Sequence, residues 1–378
     1  MLVLPNIALR NRHNLKSLAM SIDEKIKHWV RPEIRALSAY HVPDATGLIK
    51  LDAMENPYQW PEALVEAWLA TLRCAELNRY PDPSSQTIKA QLRSQLDIPA
   101  EMDLLLGNGS DELIQMILMA VSGTDRTVLS VEPSFVMYRY IAQFLNMPYV
   151  GIPLTDDFAL DTPAILAAIE KHQPAVIFLA YPNNPTGNLF SSEAIDQIIT
   201  ASDGLVVIDE AYFSFADATY MTRLAQFDNL LVMRTVSKMG LAGLRLGYLA
   251  GAPAWLEELD KVRLPYNINI LTQLSAAFAL EHVDELNRQT AQIQRDRQVM
   301  FDALTSLSSL QVYPSQANFI LFRCATGQAD RIFDGLKQNG ILIKNLNRPD
   351  SPLQNCLRVT VGTPEQNHQF IQTLQSLL

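Results

Sequence analysis

Short apolar stretches alternate with longer segments of helical period through the first two thirds of the chain. The apolar stretches are rich in β-branched residues and predict strands at Asp103–Leu106, Thr127–Val131, Ala175–Ala180, Leu205–Ile208 and Leu230–Arg234. Helical periodicity between them predicts helices, among them Asp111–Val121 and Pro163–His172. Continuous apolar strands separated by helices indicate an α/β fold with a mostly parallel sheet covered on both faces.

The pattern changes after about Pro265. Long helical stretches come first and are followed by two strands and a closing helix: Leu271–Leu286, Thr290–Leu307, Asn318–Cys324, Cys356–Val361 and Pro364–Leu378. This order predicts a second, smaller α/β domain at the C-terminus. With 378 residues and roughly 150 residues per domain, two or three domains are expected. We predict a disordered extension over residues 1–19, an N-terminal arm over 20–58, a large domain over 59–265 and a small domain over 266–378.

The charge balance is acidic, with 40 Asp and Glu against 30 Lys and Arg, a formal net charge of −10. Nucleic-acid binding requires clustered Lys and Arg to neutralise phosphates, and no such run is present. The spacing of Cys74, Cys324 and Cys356 fits neither a disulfide framework nor a zinc site. The composition therefore favours a reduced, cytoplasmic protein without bound metal.

Neither a membrane span nor a secretory signal is expected. The longest apolar run, Leu113–Val121, is about half of the ~20 residues that cross a bilayer. At the N-terminus the apolar residues precede the basic ones, which is the reverse of a secretory signal. A short transit peptide remains an alternative, because no acidic residue precedes Asp23.

Lys238 is the first candidate for chemistry. It follows the predicted strand Leu230–Arg234, and burial there would disfavour the ammonium form and leave an amine suited to a Schiff base. Ser237 and Arg245 offer donors for a phosphate nearby. A solvated lysine on a loop is the alternative, and for Lys238 considered by itself it is the more common case.

Two further segments support a cofactor site. Asp209 ends an apolar strand, and a buried carboxylate requires a partner, which the pyridinium nitrogen of a cofactor would provide. A helix cap is the alternative role for Asp209. Tyr212 could donate to an oxygen on the same ring. Asn184 stands between two prolines in the loop Tyr181–Gly187, and its amide can both donate and accept.

Three motifs in this order resemble those of the fold-type I pyridoxal-phosphate aminotransferases: Asn-Pro-Thr-Gly at 184–187, Asp-Glu-Ala-Tyr at 209–212, and Ser-Lys at 237–238 followed by Arg245. The resemblance extends from about Tyr40 to the C-terminus. It implies a large domain with a mostly parallel seven-stranded sheet and pyridoxal 5'-phosphate linked to Lys238. It also implies Asp209 at the pyridine nitrogen, with Tyr212 and Asn184 at the ring oxygen.

The segment Leu105–Glu112 runs from a predicted strand into a helix. Backbone amides at a helix N-terminus attract phosphate, so Gly109, Ser110 and Asp111 are candidates for the cofactor phosphate. A dinucleotide fingerprint is the competing interpretation, but Glu112 stands where its third glycine is required. Phe135 matches the family position that stacks on the pyridine ring, although an isolated aromatic residue is more often part of the core.

Finer motifs resemble the histidinol-phosphate aminotransferases: Leu51–Pro57, Asn78–Pro81, Leu241–Tyr248, Arg263–Asn267 and Cys356–Thr363. That resemblance implies exchange of an amino group between L-histidinol phosphate and 2-oxoglutarate in histidine biosynthesis. It implies substrate contacts from Asn184, Arg358, Lys344, Tyr40 and Tyr266. It also implies that Tyr80 reaches the cofactor phosphate of a neighbouring subunit, and therefore a homodimer.

The chain departs from the family pattern at two places. Lys238 and Arg245 are seven positions apart, one fewer than in several members of the family. Lys344 stands where some members have Arg, which keeps the charge but loses the bidentate fork. The alternatives within the fold type are an aromatic aminotransferase and a threonine-phosphate decarboxylase, because the cofactor machinery does not set the substrate.

Two alternatives lie outside this class of enzyme. A nicotinamide oxidoreductase would be colourless as an apoprotein, whereas bound pyridoxal phosphate gives a visible band that borohydride removes. A transcription regulator with an aminotransferase-like domain would need an added basic helix-turn-helix segment. The roughly 40 residues before Tyr40 are too few and too weakly patterned for such a segment.

Overall fold

The computed structural model describes residues 20–39, 42–123 and 125–378, and the predicted extension over 1–19 lies outside these ranges. The chain divides into two compact units, Met1–Pro43 and Asp44–Leu378. The described part of the first unit contains helices α1 (Ile22–Trp29) and α2 (Pro32–Arg35). Ser21 caps α1 because its side chain accepts a hydrogen bond from the amide of Glu24 while the Glu24 carboxylate binds the amide of Ser21.

The second unit contains the remaining helices and all strands of the described residues. Its α-helices are α3 (Glu62–Leu72), α4 (Gln86–Gln95), α5 (Ser110–Val121), α6 (Met137–Phe144), α7 (Thr162–His172), α8 (Ser192–Ala201), α9 (Pro253–Asp260), α10 (Ile270–Glu281), α11 (Val283–Thr305), α12 (Ala329–Gln338) and α13 (Pro364–Leu377). Short 3-10 helices cover Phe213–Phe215, Met221–Gln226, Ser237–Met239 and Ala242–Leu244. The strands are β1 (Ile49–Lys50), β2 (Asp103–Gly107), β3 (Val128–Glu132), β4 (Tyr149–Pro153), β5 (Val176–Ala180), β6 (Leu205–Asp209), β7 (Leu230–Thr235), β8 (Gly247–Gly251), β9 (Gln311–Val312), β10 (Phe319–Arg323), β11 (Ile341–Leu342), β12 (Lys344–Asn345) and β13 (Cys356–Thr360).

A seven-stranded sheet in the order β2-β8-β7-β6-β5-β3-β4 forms the centre of the second unit. Strands β3 to β7 pair in parallel, and β8 is antiparallel to both of its neighbours. The predicted α/β fold with a mostly parallel seven-stranded sheet is confirmed. All five strands predicted from the apolar stretches are present, each with ends that differ by at most one residue.

The sequence pattern did not predict strands β4 and β8. β4 lies at an edge of the sheet and is only partly buried, so it lacks the continuous apolar run of a central strand. β8 begins with Gly247 and ends with Gly251, and glycine is rare in strands. A Cβ at Gly247 would lie 2.8 Å from the amide nitrogen of Ser110, so this glycine permits the start of α5 to approach the sheet closely.

Side chains on the central strands alternate between two apolar cores. On β5, Val176 and Phe178 belong to one core, whereas Ile177 and Leu179 belong to the other. All four side chains are completely buried. Both faces of the sheet are therefore covered, which explains why these strands are continuous apolar runs rather than alternating ones.

A second layer is built on the antiparallel sheet β12-β13-β10-β9 and helices α11, α12 and α13. Strands β10 and β13 and helix α13 confirm the predicted elements Asn318–Cys324, Cys356–Val361 and Pro364–Leu378, whereas β9 and β12 were not predicted. The predicted helix Thr290–Leu307 is present as α11 but begins seven residues earlier, at Val283. The predicted helix Leu271–Leu286 is wrong at its end, because α10 stops at Glu281 and α11 begins at Val283. The backbone of His282, with φ −114° and ψ 32°, leaves the helical conformation between them.

The predicted domain boundaries at residues 58 and 265 remain predictions. Helix α10 lies after the second of them, yet it packs against α3 and α4. Ala276 and Leu280 of α10 belong to a core of the seven-stranded sheet. This packing favours a later boundary, near the start of α11. Across the described ranges, no helix combines the length and the apolar character that crossing a membrane requires.

Candidate active site

The carboxyl ends of several central strands and the first turn of α5 open into one cavity of about 390 Å³. Its wall includes the predicted residues Ser110, Asp111, Phe135, Asn184, Asp209, Tyr212, Ser237, Lys238 and Arg245. They come from segments that follow β2, β3, β5, β6 and β7. Open α/β sheets place their sites at this edge, and the sheet order brings these distant segments together.

Asp209 is the last residue of β6 and is only 3% exposed. The hydroxyl of Tyr138 donates to its Oδ2 at 2.7 Å, and the backbone N–H of Ala211 donates to its Oδ1 at 3.0 Å. Burial raises the pKa of the Asp209 carboxyl to about 6. Because neutral donors hold both oxygens, a positively charged group in the cavity would be stabilised by this carboxylate.

Lys238 lies in the short 3-10 helix that follows β7, and its Nζ donates to the carbonyl oxygen of Ala53 at 3.2 Å. Burial, with a smaller contribution from the positive charge of Arg358, lowers the pKa of the Lys238 ammonium to about 8. An amine with this pKa is partly uncharged near neutrality and can attack a carbonyl carbon. The structure places Lys238 at the predicted edge of the sheet, where its residue is half-buried.

A chain of polar contacts connects the second layer to the cavity. Asn184 donates through Nδ2 to the hydroxyl of Tyr212 at 3.1 Å and accepts through Oδ1 from Arg358 at 2.5 Å. The other terminal nitrogen of Arg358 donates to the carbonyl oxygen of Asp52 at 2.9 Å, and its guanidinium lies 5.1 Å from the ring centroid of Phe319. These contacts fix the guanidinium, which is buried in β13. Burial raises the pKa of Tyr212, so its phenol remains a proton donor.

Lys344 lies beside Arg358. Strand β12 pairs with β13 so that the Cα atoms of these two residues are partners, which places both side chains on the same face of the sheet. Burial and the charge of Arg358 lower the pKa of the Lys344 ammonium. Because the positive charges of Arg358 and Lys344 repel each other, a doubly charged anion bound beside both of them would be stabilised.

The predicted phosphate contacts surround the N-terminus of α5. Gly109 is the N-cap of this helix, and no side chain caps it. Ser110 and Asp111 form its first turn, and the guanidinium of Arg245 lies 3.8 Å from the Asp111 carboxylate. Gly109 has φ +81°, and a Cβ there would lie 2.8 Å from Arg245 Nη2. Free helix amides, the Ser237 hydroxyl and this guanidinium form an arrangement that suits a phosphate.

No sequence pattern predicts the cavity wall formed by Ala53, Met54 and Glu55. Their segment, Leu51–Pro57, is distinguished in the sequence only by a family resemblance. Met54 has φ +53°, and its amide donates to the hydroxyl of Thr360 at 3.0 Å. An unusual backbone conformation held by a distant strand leaves no periodic signal in the sequence.

Tyr138 was also not identified as part of the site. It lies three positions after the predicted stacking residue Phe135, but its contact with Asp209 joins residues 71 positions apart. A buried tyrosine on an amphipathic helix has the sequence pattern of an ordinary core residue.

Tyr80 and Tyr266 lie on the surface, where they are 80% and 40% exposed. Their rings stack on each other with centroids 4.5 Å apart. Arg263, in the same segment as Tyr266, donates to the carbonyl oxygen of Pro83 at 3.3 Å and so joins the two loops. The predicted roles of Tyr80 and Tyr266 remain predictions. Tyr40, another predicted substrate contact, lies outside the described residues.

Comparison with known proteins identifies relatives along nearly the whole chain. A family model described as aminotransferase class I and II matches residues 46–374. Histidinol-phosphate aminotransferase 2 of Nitrosococcus oceani is 57% identical over 353 residues, which cover 93% of this chain and 98% of that protein. Histidinol-phosphate aminotransferase 2 of Cupriavidus pinatubonensis is 51% identical over 358 residues, covering 93% and 97%.

Solved structures share the fold. The histidinol-phosphate aminotransferase of Sinorhizobium meliloti, solved in complex with pyridoxal-5'-phosphate, superposes with a TM-score of 0.81 at 24% identity and covers 92% of this chain and 98% of that one. The L-threonine-O-3-phosphate decarboxylase of Porphyromonas gingivalis superposes with a TM-score of 0.73 at 22% identity, covering 87% and 99%. These similarities show that this chain has the same fold as both of these proteins.

The lowered pKa of Lys238 predicts how this amine reacts in the apoprotein. Trace labelling with acetic anhydride across a pH series, followed by peptide mass spectrometry, measures the fraction of uncharged amine at each lysine. We expect half-maximal labelling of Lys238 near pH 8, because below that pH the amine is protonated and unreactive. A lysine model compound provides the control at the ordinary value of 10.5. A midpoint for Lys238 equal to that of the model compound would show that the amine is exposed to water and that its pKa is not lowered.

Proposed function

We propose, on the premise that the chain belongs to the aminotransferase class I and II family, that it exchanges an amino group between L-histidinol phosphate and 2-oxoglutarate in histidine biosynthesis. The type of reaction is supported most directly by the presence of the Lys238 amine and the buried Asp209 carboxylate in one cavity. The substrate assignment is supported by relatives 46–57% identical over nearly their whole length, all named histidinol-phosphate aminotransferases.

The residues of the cavity fit pyridoxal 5'-phosphate. The buried Asp209 carboxylate is bound by neutral donors and suits a protonated pyridine nitrogen. Asn184 and Tyr212 suit the ring oxygen, and Phe135 offers an aromatic face on the cavity wall. The start of α5, with Ser237 and Arg245, suits the phosphate.

When bound, this cofactor supplies an aldehyde that takes up the amino group and a ring that delocalises the electrons left on the substrate carbon. The residues of the chain orient the reactants and move protons. Lys238 would hold the cofactor through Nζ, and as a free amine it would carry a proton as a general base and acid. The pKa of about 8 suits both roles.

Arg358 binds the anionic group of either substrate. Histidinol phosphate has no α-carboxylate, whereas glutamate has one, yet both would have to present an amine to the same carbon of the cofactor. The guanidinium fork of Arg358 matches a phosphate or a carboxylate, and β13 together with Asn184 holds it in place. Lys344 adds the second positive charge that suits a phosphate dianion.

We assign the active form to a homodimer in the cytoplasm. The stacked rings of Tyr80 and Tyr266 are exposed, and so are Leu77 and Leu264, which are close to them in the sequence. Exposed apolar side chains of this size are typical of a protein interface. The three cysteines are free thiols, which suits a reducing compartment.

The substrate assignment is tested by steady-state assay of the purified protein with three amino donors. Histidinol phosphate, phenylalanine and threonine phosphate are each supplied with 2-oxoglutarate. We expect the highest kcat/KM with histidinol phosphate. Faster turnover of phenylalanine would instead indicate an aromatic aminotransferase, and release of carbon dioxide from threonine phosphate would indicate a decarboxylase.

Loss of the anion site should affect the two substrates differently. Removing a charged partner from a desolvated site costs on the order of 2–5 kcal/mol, so Arg358→Ala should slow both half-reactions roughly 30-fold or more. Lys344→Ala, and Tyr40→Phe likewise, should weaken histidinol phosphate more than glutamate, because only the phosphate offers a second charge for the lysine and a third oxygen for the tyrosine hydroxyl. The change in the cofactor absorption band measures each half-reaction separately.

The exposed Lys337 on α12 provides a matched control, and Lys337→Ala should leave both half-reactions unchanged. Equal losses for both substrates in the Lys344 variant would contradict its selective role. Normal turnover in Arg358→Ala would contradict the shared anion site.

Sharing of Tyr80 between subunits is tested with mixed dimers. A Tyr80→Phe chain and a Lys238→Ala chain, co-expressed with different tags, form heterodimers that can be purified. If Tyr80 serves the neighbouring subunit, one active site of the heterodimer carries both defects and the other carries neither. The activity per active site with an intact Lys238 should then rise above that of the Tyr80→Phe homodimer. Heterodimers no more active than the Tyr80→Phe homodimer would show that Tyr80 acts within its own chain.

A further inference from the structure

Asp209 is held from two directions inside the protein. The Tyr138 hydroxyl donates to Oδ2 at 2.7 Å, while the Ala211 backbone N–H donates to Oδ1 at 3.0 Å. One donor on each oxygen fixes the carboxylate plane and leaves further acceptor capacity on both oxygens. Tyr138 is fully buried, and its hydroxyl reaches the carboxylate from the core rather than from the cavity.

The ring of Tyr138 is itself locked in place. It stacks on Phe178 of β5 with centroids 4.8 Å apart and planes 10° apart. Phe135, which lines the cavity, meets the same ring edge-on with centroids 5.6 Å apart. Aromatic pairs in these geometries are attractive, and rotation of the phenol would disrupt both contacts. The hydroxyl is therefore aimed at Asp209 by the packing of α6 against the sheet.

We propose that Tyr138 is a positioning residue that keeps Asp209 charged and oriented toward the pyridine nitrogen of the bound cofactor. This inference rests on the cofactor assignment of the proposed function. A hydroxyl buried among apolar side chains costs stability unless it is hydrogen-bonded, and phenylalanine would fill the same volume without that cost. The presence of the hydroxyl next to Asp209 is therefore explained by the contact that it makes.

The groups around Asp209 determine how the contact with Tyr138 changes the pKa of its carboxyl. Burial raises the pKa of the Asp209 carboxyl, and the nearby carboxylates of Asp111 and Glu210 act in the same direction. The Tyr138 hydroxyl and the Ala211 amide oppose them, because they stabilise the ionised form. Without the hydroxyl, Asp209 would hold a proton to higher pH and would lose the charge that a protonated ring nitrogen requires.

The test is a binding measurement on the apoprotein with Tyr138→Phe. Pyridoxal phosphate is compared with its 1-deaza analogue, which has a carbon in place of the ring nitrogen, and each Kd is obtained by absorbance titration. A hydrogen bond to a charged group is worth enough to predict weakening of pyridoxal phosphate by about 10-fold or more. The Kd of the deaza analogue should stay the same, because Asp209 has no ring nitrogen to contact.

Two controls separate positioning from packing. Tyr140→Phe removes a hydroxyl from the same helix α6 and should change neither Kd. In an Asp209→Ala background, Tyr138→Phe should cause no further loss of pyridoxal phosphate binding, because the group through which it acts is already gone.

Equal weakening of both compounds by Tyr138→Phe would show that the ring only supports the structure, and an unchanged Kd for pyridoxal phosphate would also overturn the proposal. The binding titration contains no amino donor, so its result does not depend on the substrate. Failure to turn over histidinol phosphate in the steady-state assay would therefore contradict the substrate assignment alone. A wild-type apoprotein that binds neither compound would overturn both the cofactor assignment and the role of Tyr138.

Discussion

Burial of two ionisable groups of opposite charge at one edge of a sheet is the constraint on which the rest of the site depends. The apolar strands around β6 exclude water from Asp209, and the turn after β7 leaves Lys238 half-buried in the cavity wall. Desolvation moves both groups toward their neutral forms, raising the pKa of the acid to about 6 and lowering that of the amine to about 8. Burial of such groups lowers the stability of a folded protein. Their joint occurrence in one cavity therefore indicates a functional site.

The second layer completes this site rather than standing apart from it. Arg358 extends from β13 to Asn184 in the loop after β5, and the backbone of Asp52 accepts from the same guanidinium. The neighbouring residue Ala53 accepts from Lys238 through its carbonyl. The segment around Asp52 thus contacts both Arg358 and Lys238. Displacement of this segment would therefore disturb the positions of Arg358 and Lys238 together.

Much of the site could be predicted because strand ends carry local signals. Asp209 and Lys238 each follow an apolar run, so their placement at the edge of the sheet could be predicted from the pattern. The choice of Lys238 as a reactive amine depended on the other motifs. Strand β8 and the residues Met54 and Tyr138 gave no such signal, because what defines them is close approach or contact with distant parts of the chain. Periodicity reports which face a residue occupies in its own element. It does not report which element lies opposite that face.

We propose that the amine of Lys238 is the group that holds the cofactor. Borohydride reduction of the protein loaded with pyridoxal phosphate makes the link permanent, and peptide mass spectrometry then identifies the labelled lysine. We predict that the label is on Lys238, and that the Lys238→Ala variant folds normally but carries no label at position 238. Label on another lysine of the wild-type protein, such as Lys344 beside Arg358, would contradict it.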